Sequence, residues 1–184
     1  MTVFRTSARQ IADIMDRHHI DRGTSRIAMD ALGLPVITTA AKGARTLMAY
    51  DNLQRPTKIW ARDAAADDTT LRQIMTYGDT AGLTDPELLN LRGQLYIHKD
   101  EAGQLTYTDY DFKGNLLNPP SLRCGRAGFY RQVITDNALT AYQKYVVNCD
   151  NFLSSHLSNT QNTTTNEYDA LKRIRKAYYP ENLN

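Results

Sequence analysis

The chain has 184 residues, a net charge of +2, and 41% apolar and 23% charged residues, a composition typical of one soluble globular domain. The near-neutral charge favours neither a nucleic-acid partner nor an acidic tail. No apolar run approaches the roughly 18 residues of a membrane span, and the N-terminal MTVFRTSARQ lacks the apolar core of a secretory signal.

The first segment, residues 1–25, is predicted to contain a short helix. Ser7-Ala-Arg-Gln10 has the form of a capping box, in which the first and fourth residues satisfy each other's backbone amides. Apolar and histidine residues then follow at helical spacing, namely Ile11, Ile14, Met15 and His18. We therefore expect a helix over Ser7–His18, followed by a turn at Arg22–Ser25.

The adjacent histidines His18 and His19 are the most suggestive metal-ligand pair in the chain. Neighbouring residues on a helix point about 100° apart, so both rings are not expected to reach one ion together with Asp13 or Asp16. Solvent-exposed histidines are the preferred interpretation. No metal site and no cofactor is predicted.

Short strands separated by turns are predicted from Arg26 onward. Their expected ranges are Arg26–Met29, Pro35–Thr39, Thr46–Tyr50 and Thr57–Trp60. Leu71–Tyr77 fits either a strand or one helical turn, because its periodicity does not decide. Thr84-Asp-Pro-Glu87 predicts a helix start, with Pro at the first helical position and Glu87 reaching back to the cap. Gly93 is expected to end this helix.

The stretch Leu91–Leu117 contains two copies of one pattern, in which Asp is followed three residues later by Gly. The copies begin at Asp100 and Asp111 and end at Gly103 and Gly114. The Asp side chain can accept backbone N–H bonds within its own turn, and the Gly supplies the positive φ of a three-residue hairpin loop with a bulge. Between the copies, Gln104–Tyr110 alternates as a strand does. We therefore predict a β-meander.

The Asp turn recurs along the chain. Asp30 with Gly33 forms another copy, and three copies place Tyr before the Asp, namely Tyr50-Asp51, Tyr110-Asp111 and Tyr168-Asp169. Two copies carry Gln54 or Lys172 where Gly is easiest, so strain from positive φ is expected there. Because every Asp occupies the same place before its turn, backbone capping is preferred over catalysis, and no catalytic or binding residue is predicted.

Residues 119–165 have a different character, and are interpreted as a divergent helical and polar linker region. An apolar stripe with helical spacing predicts a helix near residues 136–153, formed by Leu139, Tyr142, Val146, Cys149 and Leu153. Ser154–Asn166 is a polar linker, and Asn166–Tyr179 reads as a strand, turn and strand. Cys124 and Cys149 are expected to be free thiols.

An ordered series of motifs strongly resembles RHS/YD-repeat proteins, with the nearest resemblance to the C component of insecticidal toxin complexes. The motifs are Asp30-Ala-Leu-Gly33, Ala49-Tyr-Asp-Asn-Leu-Gln-Arg-Pro56, Ile59-Trp-Ala-Arg-Asp63, Tyr77-Gly-Asp79, Asn90-Leu-Arg-Gly-Gln-Leu-Tyr96, Asp100-Glu-Ala-Gly103 and Tyr110-Asp-Phe-Lys-Gly-Asn-Leu-Leu117. The resemblance covers roughly Ile27–Leu117, with a second patch at Glu167–Glu181. It implies a mainly β fold with short helices: an antiparallel YD-repeat hairpin meander, part of an RHS shell. The repeat sheet is expected over residues 26–118 and a terminal YD hairpin over 166–184.

The resemblance implies a non-catalytic scaffold whose partners are other RHS-repeat or toxin-complex subunits. The family's self-cleavage segment is not carried over, because Asp85-Pro86 lacks the following Gly. The alternative hypothesis is a carbohydrate- or protein-binding β-repeat module, in which Tyr96, Tyr107 and Tyr110 present ring surfaces to sugars. A small hydrolase has no local signature in its favour.

Overall fold

The computed structural model describes residues 11–117, 126–133, 149, 154–169, 171 and 173–179. Regular structure in these ranges consists of thirteen β-strands and short 3-10 helices, so the prediction of a mainly β meander is confirmed. None of the helices in the described ranges combines the length and the apolar character that crossing a membrane requires. The chain divides into two compact units: Met1–Gln73 with Val146–Asp150, and Ile74–Tyr145 with Asn151–Asn184.

The first unit is an antiparallel meander. Its complete strands are β1 Ile11–His19, β2 Gly23–Asp30, β3 Pro35–Thr39, β4 Arg45–Tyr50 and β5 Pro56–Arg62. Each of these strands pairs with the next along the chain. The ambiguous segment is also a strand, β6 Thr70–Tyr77, whose first four residues belong to this unit.

The predicted helix over Ser7–His18 is wrong from Ile11 onward, and residues 7–10 lie outside the described ranges. Ile11–His19 is strand β1, and its residues pair in register with Gly23–Asp30 of β2. Eight of the nine β1 residues are exposed, so the helix-like spacing of the apolar residues does not reflect a buried helix face. Backbone pairing with a neighbouring strand outweighs a weak local helix preference.

The second unit continues the antiparallel pattern with one change of order. After the last residues of β6, its strands are β7 Leu95–Asp100, β8 Gly103–Tyr107, β9 Asp109–Tyr110, β10 Leu116–Leu117, β11 Arg126–Val133, β12 Asn162–Tyr168 and β13 Ile174–Tyr178. β7 pairs with β6 and β8, and β8 then pairs with β11. β9 and β10 form a separate two-stranded sheet.

The region predicted as divergent helix and linker contributes strands to this unit. β11 lies within residues 119–165, and β12 begins at Asn162, inside the predicted linker Ser154–Asn166. β12 and β13 pair as an antiparallel hairpin, and β12 begins at Asn162, before the start at residue 166 that was predicted for the terminal hairpin. The predicted helix near 136–153 lies outside the described residues except for Cys149, whose buried thiol donates to the Arg72 carbonyl at 3.3 Å. Cys124 also lies outside the described residues.

The predicted helix after Thr84 is only a 3-10 turn, Pro86–Leu89. Pro is at its start as predicted, but the capping residue is Asp85, which has a left-handed backbone and makes no side-chain cap bond. The turn ends at Asn90, also left-handed, rather than at Gly93. The predicted capping box is therefore wrong.

Few side chains in the described ranges are fully removed from water. In the first unit the buried apolar residues are Ala28, Leu71 and Cys149, and in the second they are Tyr77, Leu91, Tyr110 and Leu157. Most other strand residues are half-buried. Backbone pairing therefore accounts for much of the regular structure, and each fully buried side chain is correspondingly important.

Leu91 is anchored by a close backbone contact in the second unit. It is 0% exposed, and a Cβ added to Gly78 would overlap the Leu91 carbonyl oxygen. The Gly78 amide also donates to the Gln94 carbonyl at 3.0 Å. Only glycine at position 78 therefore allows the start of the long connection between β6 and β7 to approach Leu91, near the end of the same connection.

We predict that Gly78→Ala destabilises the chain by about 3 kcal/mol, near the upper end of the usual effect of overpacking, because the atom that must move belongs to backbone. Gly33→Ala is the matched control. It has positive φ (76°) but open space around the added Cβ, so a loss of only about 1 kcal/mol is expected. Urea unfolding midpoints measure both, and equal losses would contradict the packing argument.

Candidate functional site

The Asp51 turn shows how one aspartate closes a hairpin. Its backbone N–H donates to the Arg55 carbonyl at 2.9 Å, and the Gln54 N–H donates back to the Asp51 carbonyl at 3.1 Å. Asp51 Oδ1 accepts the N–H groups of Leu53 and Arg55, both at 2.9 Å. The carboxylate thus satisfies amides that the three-residue loop leaves without strand partners.

The same arrangement recurs at three more of the predicted aspartates. Oδ1 accepts two backbone amides at 2.8–2.9 Å in each turn, from Leu32 and Leu34 at Asp30, from Lys113 and Asn115 at Asp111, and from Leu171 and Arg173 at Asp169. The loops close with an N–H to carbonyl bond of 2.7–2.9 Å between the first and fifth residues. These turns are therefore one structural unit repeated along the chain.

Asp100 forms a different turn. It lies opposite Gly103 in the register of β7 and β8, so only Glu101 and Ala102 form the loop. Asp100 Oδ1 accepts the Ala102 N–H at 2.9 Å. The predicted three-residue loop is therefore wrong here, because the alternation of the two strands fixes a tighter register.

The turn that Lys42-Gly43 predicts is also of the repeated type, although the sequence did not identify it as a copy. Ala40 donates its N–H to the Ala44 carbonyl at 2.8 Å, and Gly43 donates to the Ala40 carbonyl at 2.9 Å. This is the backbone of the Asp turn without the carboxylate. Gly43, with φ 88°, was the only sequence signal, so the aspartate supports this loop but is not needed for it.

The fourth position of the turn requires a left-handed backbone. Gly33 and Gly114 have φ of 76° and 78°, and Gln54 has φ 65°. The strain expected at Gln54 is therefore confirmed, since an L-residue resists this conformation. Lys172 lies outside the described residues.

We predict that Gln54→Gly stabilises the chain by about 1 kcal/mol, because glycine relieves the positive φ. Gln54→Ala is the matched control and should give no gain, since alanine keeps the Cβ that causes the strain. Chemical unfolding of the three proteins measures the difference. A stabilised Ala variant would mean that loss of the Gln side chain, rather than relief of backbone strain, produced the effect.

The second carboxylate oxygen binds the side chain of the fifth turn residue. Asp51 Oδ2 accepts from Arg55 Nε at 2.7 Å, and Asp169 Oδ2 accepts from Arg173 Nε at 2.7 Å. Asp111 Oδ2 accepts from Asn115 Nδ2 at 2.7 Å. Both oxygens are thus occupied inside the turn, which is the arrangement of a structural carboxylate rather than of a general base awaiting a substrate.

These contacts change the acidity of the aspartates. Burial raises the pKa of the Asp51 carboxyl, but the hydrogen bonds and charge of Arg55 and the Leu53 amide outweigh it, so the pKa lies below its usual value. At Asp169 the Arg173 amide and side chain lower the pKa. A carboxyl whose pKa is depressed by folding stabilises the folded state above its unfolded pKa, and the contribution is lost as pH falls through the folded value.

We predict that Asp51→Asn destabilises the chain by about 1.5–3 kcal/mol at pH 7, because the amide keeps an oxygen for the backbone but loses the charged contact with Arg55. The difference from wild type should shrink as pH falls below about 4, where the aspartate of the wild type is itself becoming protonated. Unfolding at several pH values tests this. Asp68→Asn, at an exposed loop residue, is the control and should change little at any pH.

The tyrosine before the aspartate links neighbouring turns. The Tyr50 hydroxyl donates to the Pro35 carbonyl at 2.8 Å, and the Tyr110 hydroxyl donates to the Leu95 carbonyl at 2.7 Å. In both cases the acceptor is fifteen residues earlier and is the first residue of a strand, β3 or β7. The Tyr-Asp pair therefore closes its own turn and fastens it to an earlier strand start.

The environment of Tyr110 corrects one earlier expectation. Its side chain is buried, and burial together with the nearby Tyr107 raises the pKa of its hydroxyl. Its backbone carbonyl also accepts the Asn90 amide at 2.7 Å. Tyr110 is thus not an exposed ring platform for sugars, and the hypothesis of carbohydrate binding loses one of its three residues. Tyr96 and Tyr107 are half-buried.

In the part of the chain that the structure describes, no three His, Cys, Asp or Glu side chains are grouped so as to hold a metal ion. The His18 ring faces Thr24, with Nδ1 3.0 Å from Oγ1. The aspartate side chains described above accept hydrogen bonds from backbone groups at turns, and these bonds fix the ends of the adjoining strands.

Solved structures with the same fold come from toxin complexes. The chain superposes on TcdB2-TccC3 with a TM-score of 0.66 and 19% identity over 90% of its length. The TcdB2-TccC3-Cdc42 structure gives 0.64 and 18% over 91%, and the Photorhabdus luminescens Tc holotoxin pore gives 0.63 and 19% over 90%. The chain spans only 7% of the length of each of these chains.

The resemblance to part of a toxin-complex C component is thereby confirmed at the level of fold. No family model matches the sequence, and no curated protein matches it.

Proposed function

We propose that this chain is a section of wall in an RHS-type, toxin-related β-sheet shell, and that its role is to pair with adjoining repeats rather than to catalyse a reaction. The observation that carries the proposal is the combination of fold similarity to toxin-complex structures with a strand meander that has an exposed strand at each end. Toxin-complex subunits are the corresponding partners.

The terminal strands β1 and β13 have the features of edge strands that can pair with a further strand. Among the described residues, β1 pairs only with β2, and β13 pairs only with β12. Ile11 and Ile14 on β1 are 49% and 58% exposed, and Ile174 on β13 is 58% exposed. An edge strand with open backbone groups and apolar side chains favours further strand pairing.

The turns support a wall function in a second way. Three Asp turns, at Asp51, Asp111 and Asp169, have both carboxylate oxygens engaged within the turn. Tyr50 and Tyr110 connect their turns to strand starts. Such a device fixes strand spacing and register without side chains reserved for a substrate. A wall that must continue from one repeat to the next needs this regularity more than it needs a pocket.

We predict that wild-type protein associates with increasing concentration, and that Ile11→Lys/Ile14→Lys reduces this association, because charged side chains on an edge strand oppose pairing. Sedimentation velocity across a concentration series measures it. The matched control is Leu32→Lys/Leu53→Lys, which adds the same two charges at turn tips where both leucines are exposed, and it should associate as wild type does.

A wild type that stays monomeric throughout the series would overturn the edge-pairing proposal, as would an edge variant that associates like the control. The non-catalytic part of the proposal has its own test. Purified protein should show a flat profile on generic esterase, protease and phosphatase substrates, and turnover that one substitution abolishes would contradict it.

A further inference from the structure

A cavity of about 520 Å³ lies beside the hairpin turn between β1 and β2 in the first unit. Its lining includes Arg17, His18, His19 and Arg22 from the hairpin, and Ala40 and Ala41 from the neighbouring turn. The volume is within the range of small-molecule sites, roughly 300–1,000 Å³. The wall proposal assigns no role to this cavity.

The lining is cationic. It contains two arginines and two histidines, and no carboxylate is among the lining residues. Asp21 is in the same hairpin turn, and its Oδ2 is 3.9 Å from His19 Nδ1 in an exposed pair. Opposite charge for the two guanidinium groups must therefore come from solvent ions or from a ligand.

Arg17 and Arg22 differ in this respect from five other arginines of the chain. Within the described ranges neither forms an ion pair, whereas five arginines do, each with a carboxylate 2.6–3.2 Å away: Arg26, Arg55, Arg72, Arg92 and Arg173. Guanidinium groups offer several N–H donors in a planar fork that matches phosphate and sulfate oxygens.

The imidazole of His19 is oriented to add a donor. Its Nδ1 accepts the backbone N–H of Asp21 at 3.2 Å, so the proton of the neutral ring is on Nε2. In this tautomer Nε2 donates a hydrogen bond. The ring thus offers an anion a hydrogen-bond donor in addition to the guanidinium groups.

One side of the cavity is set by a close approach of two turns. A Cβ added to Gly23, which has φ 72°, would lie 2.8 Å from the Ala41 Cβ. The Ala40 turn is held by its own backbone bonds. The cationic hairpin is therefore placed against a compact, small-residue surface rather than projecting alone into solvent.

We infer that this cavity binds a small anionic ligand that carries phosphate or sulfate groups, held by the guanidinium groups of Arg17 and Arg22 and by His19. The inference goes beyond the wall function and does not depend on it. The edge variants change Ile11 and Ile14 in the first half of β1, whereas Arg17 and His19 lie at its other end, beside the turn.

The test is isothermal titration of the purified full chain with two probes, inorganic pyrophosphate and a sulfated heparin-derived disaccharide. Saturable one-to-one binding of either probe is expected, and the probe that binds more tightly distinguishes phosphate from sulfate sources. Arg17→Gln/Arg22→Gln should weaken the binding at least about tenfold, since it removes charge-assisted hydrogen bonds. Circular dichroism confirms that this exposed double variant is folded.

Two further variants separate a site from general charge. Arg175→Gln/Lys176→Gln removes the same charge from exposed residues of β13 in the other unit and should leave binding unchanged. Arg17→Lys/Arg22→Lys retains charge without the guanidinium fork and should bind with intermediate affinity. Absence of saturable binding to both probes would overturn the inference, as would equal losses in the β13 variant and the Arg17/Arg22 variant.

Discussion

The structure depends on a carboxylate that closes a loop from within. In the Asp51 turn one oxygen accepts two backbone amides, and the other binds Arg55. Without such a partner, the amides of a three-residue loop would have to be satisfied by water. Because the acceptor belongs to the first residue of the turn, the turn needs no hydrogen bonds from the rest of the fold. It can therefore recur wherever an aspartate is followed, at the fourth position of the turn, by a residue that adopts positive φ.

The tyrosine hydroxyl turns this local device into a repeating structure. Tyr50 and Tyr110 each reach a carbonyl at the start of an earlier strand, which couples a turn to a strand outside its own hairpin. At Tyr110 the side chain is also buried, with 6% of its surface exposed. In a sheet with few fully buried side chains, such contacts fix the spacing and register of the strands. Repeated hydrogen bonds therefore contribute stability that a large hydrophobic core would otherwise supply.

The local use of each carboxylate fits this account. Asp30 and Asp51 serve separate turns of the first unit, and Asp111 and Asp169 serve turns of the second. Each carboxylate is used by its own loop. The cationic cavity beside Arg17 and Arg22 has a different character, because no carboxylate is among its lining residues.

The sequence by itself determined what depends on neighbouring residues. Pro35–Thr39 is a strand with the predicted bounds, and the left-handed conformation at Gln54 was predicted from the spacing to Asp51. Both follow from local rules: strand alternation, and the backbone demands of a short loop.

Tertiary structure decided what depends on distant partners. The segment from Ile11 became a strand because β2 supplies its hydrogen bonds, and β8 pairs with β11 across a long insertion. The hydrogen bond from the Tyr110 hydroxyl to the Leu95 carbonyl also depends on tertiary structure, because no spacing rule in the sequence indicates which carbonyl a hydroxyl will contact. Pairing energy between strands is non-local, so a weak helix pattern or a polar stretch yields to it whenever a neighbouring strand is in place.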